Sequence, residues 1–135
     1  MFVLDCSVTL AWCLPDEEDH YAGRVLDLLI EQQAIVPPLW HLEVMNVLLI
    51  AQRKKQISEQ QVSHILQTIS PLNITTYNKH PLINNHELLL FSQQHQVTSY
   101  DATYLYLAQS ENLPLATLDK KMRSAAEQLG VCLEV

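Results

Sequence analysis

Glycine is nearly absent from the sequence: Gly23 and Gly130 are the only two in 135 residues. Neither a Walker phosphate loop nor a G-x-G-x-x-G dinucleotide fingerprint can be written with them. Any phosphate handled by the chain must be held by metals, cations or helix ends. Cysteine is scarce too. Cys6, Cys13 and Cys132 form no C-x-x-C pair, which argues against a zinc site and a disulfide framework. A reducing, cytoplasmic setting is expected. Positive charge is also short: eight Lys and Arg face fifteen Asp and Glu, for a formal net charge of −7. Such a chain is a poor general binder of nucleic acid, because affinity for a phosphate backbone comes mostly from Lys and Arg. No apolar run approaches the roughly 20 residues that span a bilayer. The start, MFVLDCSVTL, reaches an acid at position five and has no basic segment, so no signal peptide is expected.

What remains is an apolar chain, 48% hydrophobic and only 17% charged. That excludes disorder and suits one domain over residues 1–135. There are no internal repeats, linkers or low-complexity tracts.

Short apolar runs at Phe2–Asp5, Ala34–Val36, Ile74–Tyr77, Pro114–Leu118 and Val131–Val135 read as strands. Helical spacing covers Val8–Leu14, Asp19–Gln33, Leu39–Lys55, Ser58–Ser70, Pro81–Gln96, Thr98–Ser110 and Lys120–Leu129. The Ser58-x-x-Gln61 spacing predicts a capping box, and Gly130 ends the last helix. Strands alternating with helices imply parallel pairing through helical crossovers. The expected fold is a three-layer α/β/α sandwich around a mostly parallel sheet of four or five short strands.

In open parallel sheets, ligands sit beyond the carboxyl ends of the strands. Asp5 ends the first strand and Asp119 the penultimate one. Each could equally be an ordinary N-cap. Asp101 closes Thr98-Ser99-Tyr100-Asp101, a capping-box spacing, though a capping acid keeps one oxygen free to face a cleft. Glu43 resists a plain explanation. From Leu39 to Ala51 the polar residues are His41, Glu43 and Asn46 alone. A helix apolar nearly all round is buried or forms an interface, and a carboxylate on it needs compensation. No Lys or Arg lies within a turn of Glu43. Converging carboxylates repel one another, and a hard divalent cation relieves that repulsion. All-oxygen ligands favour Mg²⁺ or Mn²⁺ over zinc. Metal-assisted phosphodiester hydrolysis is the chemistry such a set most naturally serves.

The segments LDCSVTLAWCLPDE, LEVMNVLL, SYDATYLYLA and PLATLDKKM together resemble the PIN-domain family, and more closely the VapC-type toxins of bacterial type II toxin–antitoxin modules. The likeness runs from Met1 to Val135. It implies a Rossmann-like sheet and a Mg²⁺- or Mn²⁺-dependent endoribonuclease acting on structured transfer or ribosomal RNA. The family's acidic cluster matches Asp5, Glu43, Asp101 and Asp119. Asp5 and Asp101 would be principal metal ligands, with Glu43 and Asp119 completing the set directly or through water. Ser7 and Thr117 match the family's small hydroxyl residues, and Asn46 a frequent supporting Asn. Ser7 could equally be the N-cap of Val8–Leu14. The resemblance also implies a cognate antitoxin that blocks the acidic site.

A ribonuclease this acidic must bind RNA by a local patch. Lys120 and Lys121, with Arg123, stand beside Asp119; Arg53, Lys54 and Lys55 end the third helix. The second cluster also suits the helix dipole, so Lys120 and Lys121 are the better phosphate contacts. The apolar surplus of Leu39–Ala51 and Val8–Leu14 predicts a homodimer and a groove for a partner's amphipathic segment.

The six histidines form no metal spacing, and Trp12 and Trp40 suit core or interface. Tyr104 is accounted for by helical packing. Three rival readings remain. Asp5-Cys6-Ser7-Val8-Thr9 fits the D-x-S-x-S/T opening of a von Willebrand-type adhesion site, which would make the protein a non-catalytic, metal-dependent binding domain with no role for Glu43. A haloacid-dehalogenase phosphatase would need a second Asp where Ser7 stands. A PIN fold could also keep its acids and act mainly as an interaction partner.

Overall fold

The computed structural model describes residues 1–16, 19–78 and 84–135. Along the chain run β1 (Phe2–Leu4), α1 (Cys6–Cys13), α2 (His20–Leu28), β2 (Ala34–Val36), α3 (Leu39–Arg53) and α4 (Glu59–Ile69). They are followed by β3 (Ile74–Thr76), α5 (Asn85–His95), α6 (Ser99–Glu111), β4 (Leu115–Ala116) and α7 (Lys120–Gln128). The strands form one sheet in the order β3-β2-β1-β4. Every pairing is parallel, with Phe2 opposite Ala34, Val3 opposite Leu115 and Ala34 opposite Ile74. Helices cover both faces, which gives the expected three layers.

That covering explains the sequence of β1. Phe2, Val3 and Leu4 have no exposed surface at all, as a strand covered on both faces requires. Each such side chain contributes about 1.5–3 kcal/mol relative to exposure. β3 is the edge strand. It is half exposed and carries Thr75 and Thr76, the short, polar form that discourages edge pairing.

The chain crosses from one side of β1 to the other between β3 and β4. The strand order therefore reverses at the β1–β4 pair, and a crevice opens there beyond the strand ends. The β1–β4 ladder continues through Asp5 N–H, which donates to the Ala116 carbonyl at 3.0 Å. Beyond β2, Pro37 and Pro38 stop the strand and start α3, their carbonyls accepting from Trp40 and His41 N–H. Proline suits this place because the first helical N–H groups lack partners anyway. Trp40 Nε1 then donates to Thr9 Oγ1 at 3.2 Å, fixing α3 against α1.

Three expectations need correction. Val131–Val135 is not a strand. It makes a single parallel bridge, Cys132 opposite Leu115, because β4 is only two residues long and offers one pairing position. Tyr21 and Arg24 side chains then hold the Leu133 and Val135 carbonyls. The helix expected over Asp19–Gln33 ends at Leu28, where Leu29, Ile30 and Glu31 switch to bonds three residues back. The surplus apolarity of Val8–Leu14 is largely spent in the core, since Val8, Leu10 and Ala11 are buried. Of the helix expected over Pro81–Gln96, residues 81–83 lie outside the described residues, as does His80. The helix itself starts after Asn84, whose side chain accepts from Glu87 N–H. The Ser58–Gln61 capping box forms in full.

Candidate metal centre

Asp5 follows β1 and precedes α1, yet its side chain makes no cap hydrogen bond. It is only 4% exposed. Two hydroxyls converge on its Oδ2: Ser7 donates at 2.6 Å and Thr117 at 2.8 Å. Each hydroxyl in turn accepts a backbone N–H, from Leu118 to Ser7 at 2.9 Å and from Asp119 to Thr117 at 3.1 Å. The loop after β4 is thus latched onto the residue after β1. Ser7 is no N-cap here; it orients a carboxylate. With both hydroxyls on Oδ2, the other oxygen of Asp5 is left without a hydroxyl partner.

Glu43 lies one turn into α3 and is half-buried. Its Oε1 accepts from the Tyr104 hydroxyl at 2.5 Å. One carboxylate oxygen of Asp5, one of Glu43 and the Cys6 sulfur all lie within 4.8 Å of one another. Asp101 sits in the first turn of α6. Thr98 caps that helix by accepting from Asp101 N–H at 3.1 Å, and Asp101 itself is half-buried. Asp119 caps α7 by accepting from Met122 N–H at 2.8 Å through Oδ1. The capping explanation holds for Asp119, whose Oδ1 makes the cap; at α6 the cap is the Thr98 side chain, to which Asp101 gives its backbone N–H.

Asp5, Glu43 and Asp101 are each shifted upward, by burial first and by neighbouring carboxylates second. Burial first, then the charges of Asp119, Asp5 and Glu43, push Asp101 up to about 6. Burial raises Asp5 above the usual carboxylate value, with Asp119 adding to the rise and the two hydroxyls opposing it. Burial also raises Glu43, with Tyr104 opposing and Asp5 adding. Among the described residues no Lys or Arg pairs with any of them; the one ion pair there is Arg123–Glu127 at 3.7 Å. Asp5 and Glu43 bring carboxylate oxygens within reach of one shared ion, a donor chemistry that suits a hard divalent cation. Asp101 and Asp119 do not belong to that close group, and Asp119 is exposed. The residues present fit such a metal.

Two residues of this centre were not singled out from the sequence. Tyr104 is fully buried, as helical packing explains, but its hydroxyl also holds Glu43. A buried Tyr hydroxyl needs a partner, and Tyr104 shares a helix face with Asp101 three residues earlier. Cys6 brings a thiol into the acids, and burial with the charges of Asp5, Glu43 and Asp101 raises its pKa well above the ordinary value. Its adjacency to Asp5 was the available signal. Asn46 is exposed one turn beyond Glu43 and bonds to none of the four acids. Lys120 and Lys121 are exposed in the first turn of α7.

A PIN domain family model matches residues 2–128. The chain belongs to the PIN domain family. Members of that family are generally nucleases that use a divalent metal, and Asp5, Cys6 and Glu43 of this PIN domain form a group that could hold one. Two solved structures share its fold. PAE2754 from Pyrobaculum aerophilum superposes with a TM-score of 0.69 at 19% identity, covering 96% of each chain. FitAcB from Neisseria gonorrhoeae superposes with a TM-score of 0.65 at 20% identity, covering 94% of each chain. A search of curated proteins found no match. No helix among the described residues is long and apolar enough to cross a membrane.

Proposed function

We propose that this PIN domain is a Mg²⁺- or Mn²⁺-dependent endoribonuclease, acting as a VapC-type toxin of a type II toxin–antitoxin module. The observation that carries the reading is the approach of Asp5 and Glu43 carboxylate oxygens to within 4.8 Å of one another, with no Lys or Arg among the described residues paired to either. In this reading Asp5 and Asp101 hold the metal, and Glu43 and Asp119 complete the set. An ion held there would supply activation of a water and neutralisation of charge on the phosphoryl oxygens. Ser7 and Thr117 fix the rotamer of Asp5, Tyr104 fixes Glu43, and Asn46 supports from the rim. Lys120 and Lys121, exposed beside Asp119, are the proposed contacts for RNA phosphates. Structured transfer or ribosomal RNA is the substrate class carried over from the sequence resemblance.

Partners follow from the surface. Leu42, Met45, Leu49 and Ile50 are exposed along α3, Leu42 to 70%. An apolar stripe on a soluble helix marks an interface, and a second copy of the chain is its proposed occupant. A cleft of about 380 Å³ between α1 and α4, lined by Trp12, Leu14, Pro15, Ile57, His64 and Ile65, suits an apolar segment of a cognate antitoxin. The three free cysteines fit a cytoplasmic setting. Induced expression of the chain in a bacterium tests the toxin reading. Growth should stop, and the Asp5→Asn variant should grow normally; normal growth with soluble wild-type protein present contradicts it.

A further inference from the structure

A cleft of about 440 Å³ lies between the C-terminal end of α5 and one face of α7, lined by Gln94, His95, Gln96, Lys121, Ser124 and Gln128. Such a volume falls in the range of small-ligand sites. Lys121, Ser124 and Gln128 recur at helical spacing, so they share one side of α7. No carboxylate lines the cleft, in a chain with nearly twice as many acids as bases. Among the described residues Lys121 has no ion-pair partner. Both walls lie close in sequence to the candidate site acids. Gln96 is two residues before Thr98, which caps the helix bearing Asp101, and Lys121 is two residues after Asp119.

We infer that this cleft is the subsite for the RNA nucleotide next to the scissile phosphate. The inference rests on the nuclease reading above. Lys121 holds the phosphate of that nucleotide as a point charge. The amides of Gln94, Gln96 and Gln128 offer both donors and acceptors, the chemistry that reads a sugar and base edge in an unpaired strand. His95 meets Phe91 at a tilt, with ring centroids 4.4 Å apart and planes 53° to one another, which braces the imidazole where it lines the cleft. From Lys121 to Gln128 the α7 face runs about 10 Å at 1.5 Å per residue, long enough for one nucleotide.

The test is binding of a fluorescent single-stranded RNA to the full chain in EDTA, followed by anisotropy across a salt series. Lys121→Ala should weaken binding about fivefold and flatten the log–log salt slope by about 0.7, the loss of one phosphate contact. Gln128→Ala and Gln94→Ala should weaken binding with the slope unchanged, because they contribute no charge. Lys54→Ala with Lys55→Ala, away from the cleft, should match wild type. All these residues are exposed, so the variants should fold. Wild-type affinity and slope in both Lys121→Ala and Gln128→Ala would overturn the subsite. Cleavage by wild type, assayed in parallel, separates the two ideas. If RNA is cut while the cleft variants bind normally, the subsite alone falls. If wild type neither binds nor cuts RNA, the nuclease reading falls and the subsite with it.

Discussion

The hydroxyl of Tyr104 donates to Glu43 Oε1 at 2.5 Å, tying α6 to α3 across the acidic centre. Glu43 keeps its second oxygen for other use. Burial and the neighbouring Glu43 charge hold the Tyr104 proton in place, raising its pKa above the ordinary tyrosine value. Tyr104→Phe should therefore leave the fold intact at a cost of about 1 kcal/mol, at the low end for a bond to a charged group because Glu43 is only half-buried. It should also weaken Mn²⁺ binding several-fold in a calorimetric titration. Unchanged Mn²⁺ affinity would separate Glu43 from the metal.

Ser7 and Thr117 act on the same oxygen of Asp5. Supporting hydrogen bonds of this kind are typically worth 10–100-fold in metal affinity. Ser7→Ala should weaken Mn²⁺ binding about tenfold. Thr117→Val should do the same and also destabilise the protein by about 1–3 kcal/mol, since it strands the Asp119 N–H and a buried carboxylate. Because the two share a partner, the double variant should lose less affinity than the sum of the singles. Strict additivity would mean that the hydroxyls do not act through Asp5.

The metal-free protein should be more stable in mild acid than at neutral pH. Asp101 has a folded pKa of about 6 against a usual 3.8, so the native state binds more protons than the unfolded state between those values. Stability then falls as pH rises through that window. In EDTA, the melting temperature should be higher at pH 5 than at pH 7.5, and Asp101→Asn should flatten the difference. Mg²⁺ or Mn²⁺ at pH 7.5 should restore stability, by about 2.7 kcal/mol at a hundredfold excess over Kd. A melting temperature that rises from pH 5 to 7.5 in EDTA would contradict the repulsion.

A homodimer through α3 predicts that Leu42→Glu or Leu49→Glu yields a folded monomer. Both residues are exposed in the single chain, so the change should spare the core. Light scattering at micromolar concentration reads the outcome. A wild-type monomer would remove the dimer.

Most of the sheet was legible because β1, β2 and β4 are short, wholly apolar and punctuated by Asp5, Pro37 or Asp119. The last strand was not, because pairing depends on the partner's length, and two-residue β4 leaves Val131–Val135 a single bridge. Asp5, Asp101 and Asp119 were picked out by their places after strands or at helix starts, and Glu43 as a lone acid on a nearly all-apolar helix; the structure brings Asp5 and Glu43 together. What the sequence hid is how they are held. Thr117 and Asp5 are 112 positions apart, and Tyr104 and Glu43 are 61 apart. Such pairs follow from which strands become neighbours. Ser7 was ambiguous because a hydroxyl two residues after Asp5 serves a cap or a carboxylate equally well until the loop after β4 arrives beside it.

The most direct measurement is RNA cleavage by the purified chain. Total cellular RNA is incubated with Mg²⁺ or Mn²⁺, with EDTA, and with the Asp5→Asn and Asp101→Asn variants under the same metals. The account predicts discrete cuts that require the metal and vanish in both variants. Intact RNA under every metal with folded, antitoxin-free protein, or cuts that persist in EDTA, would contradict it.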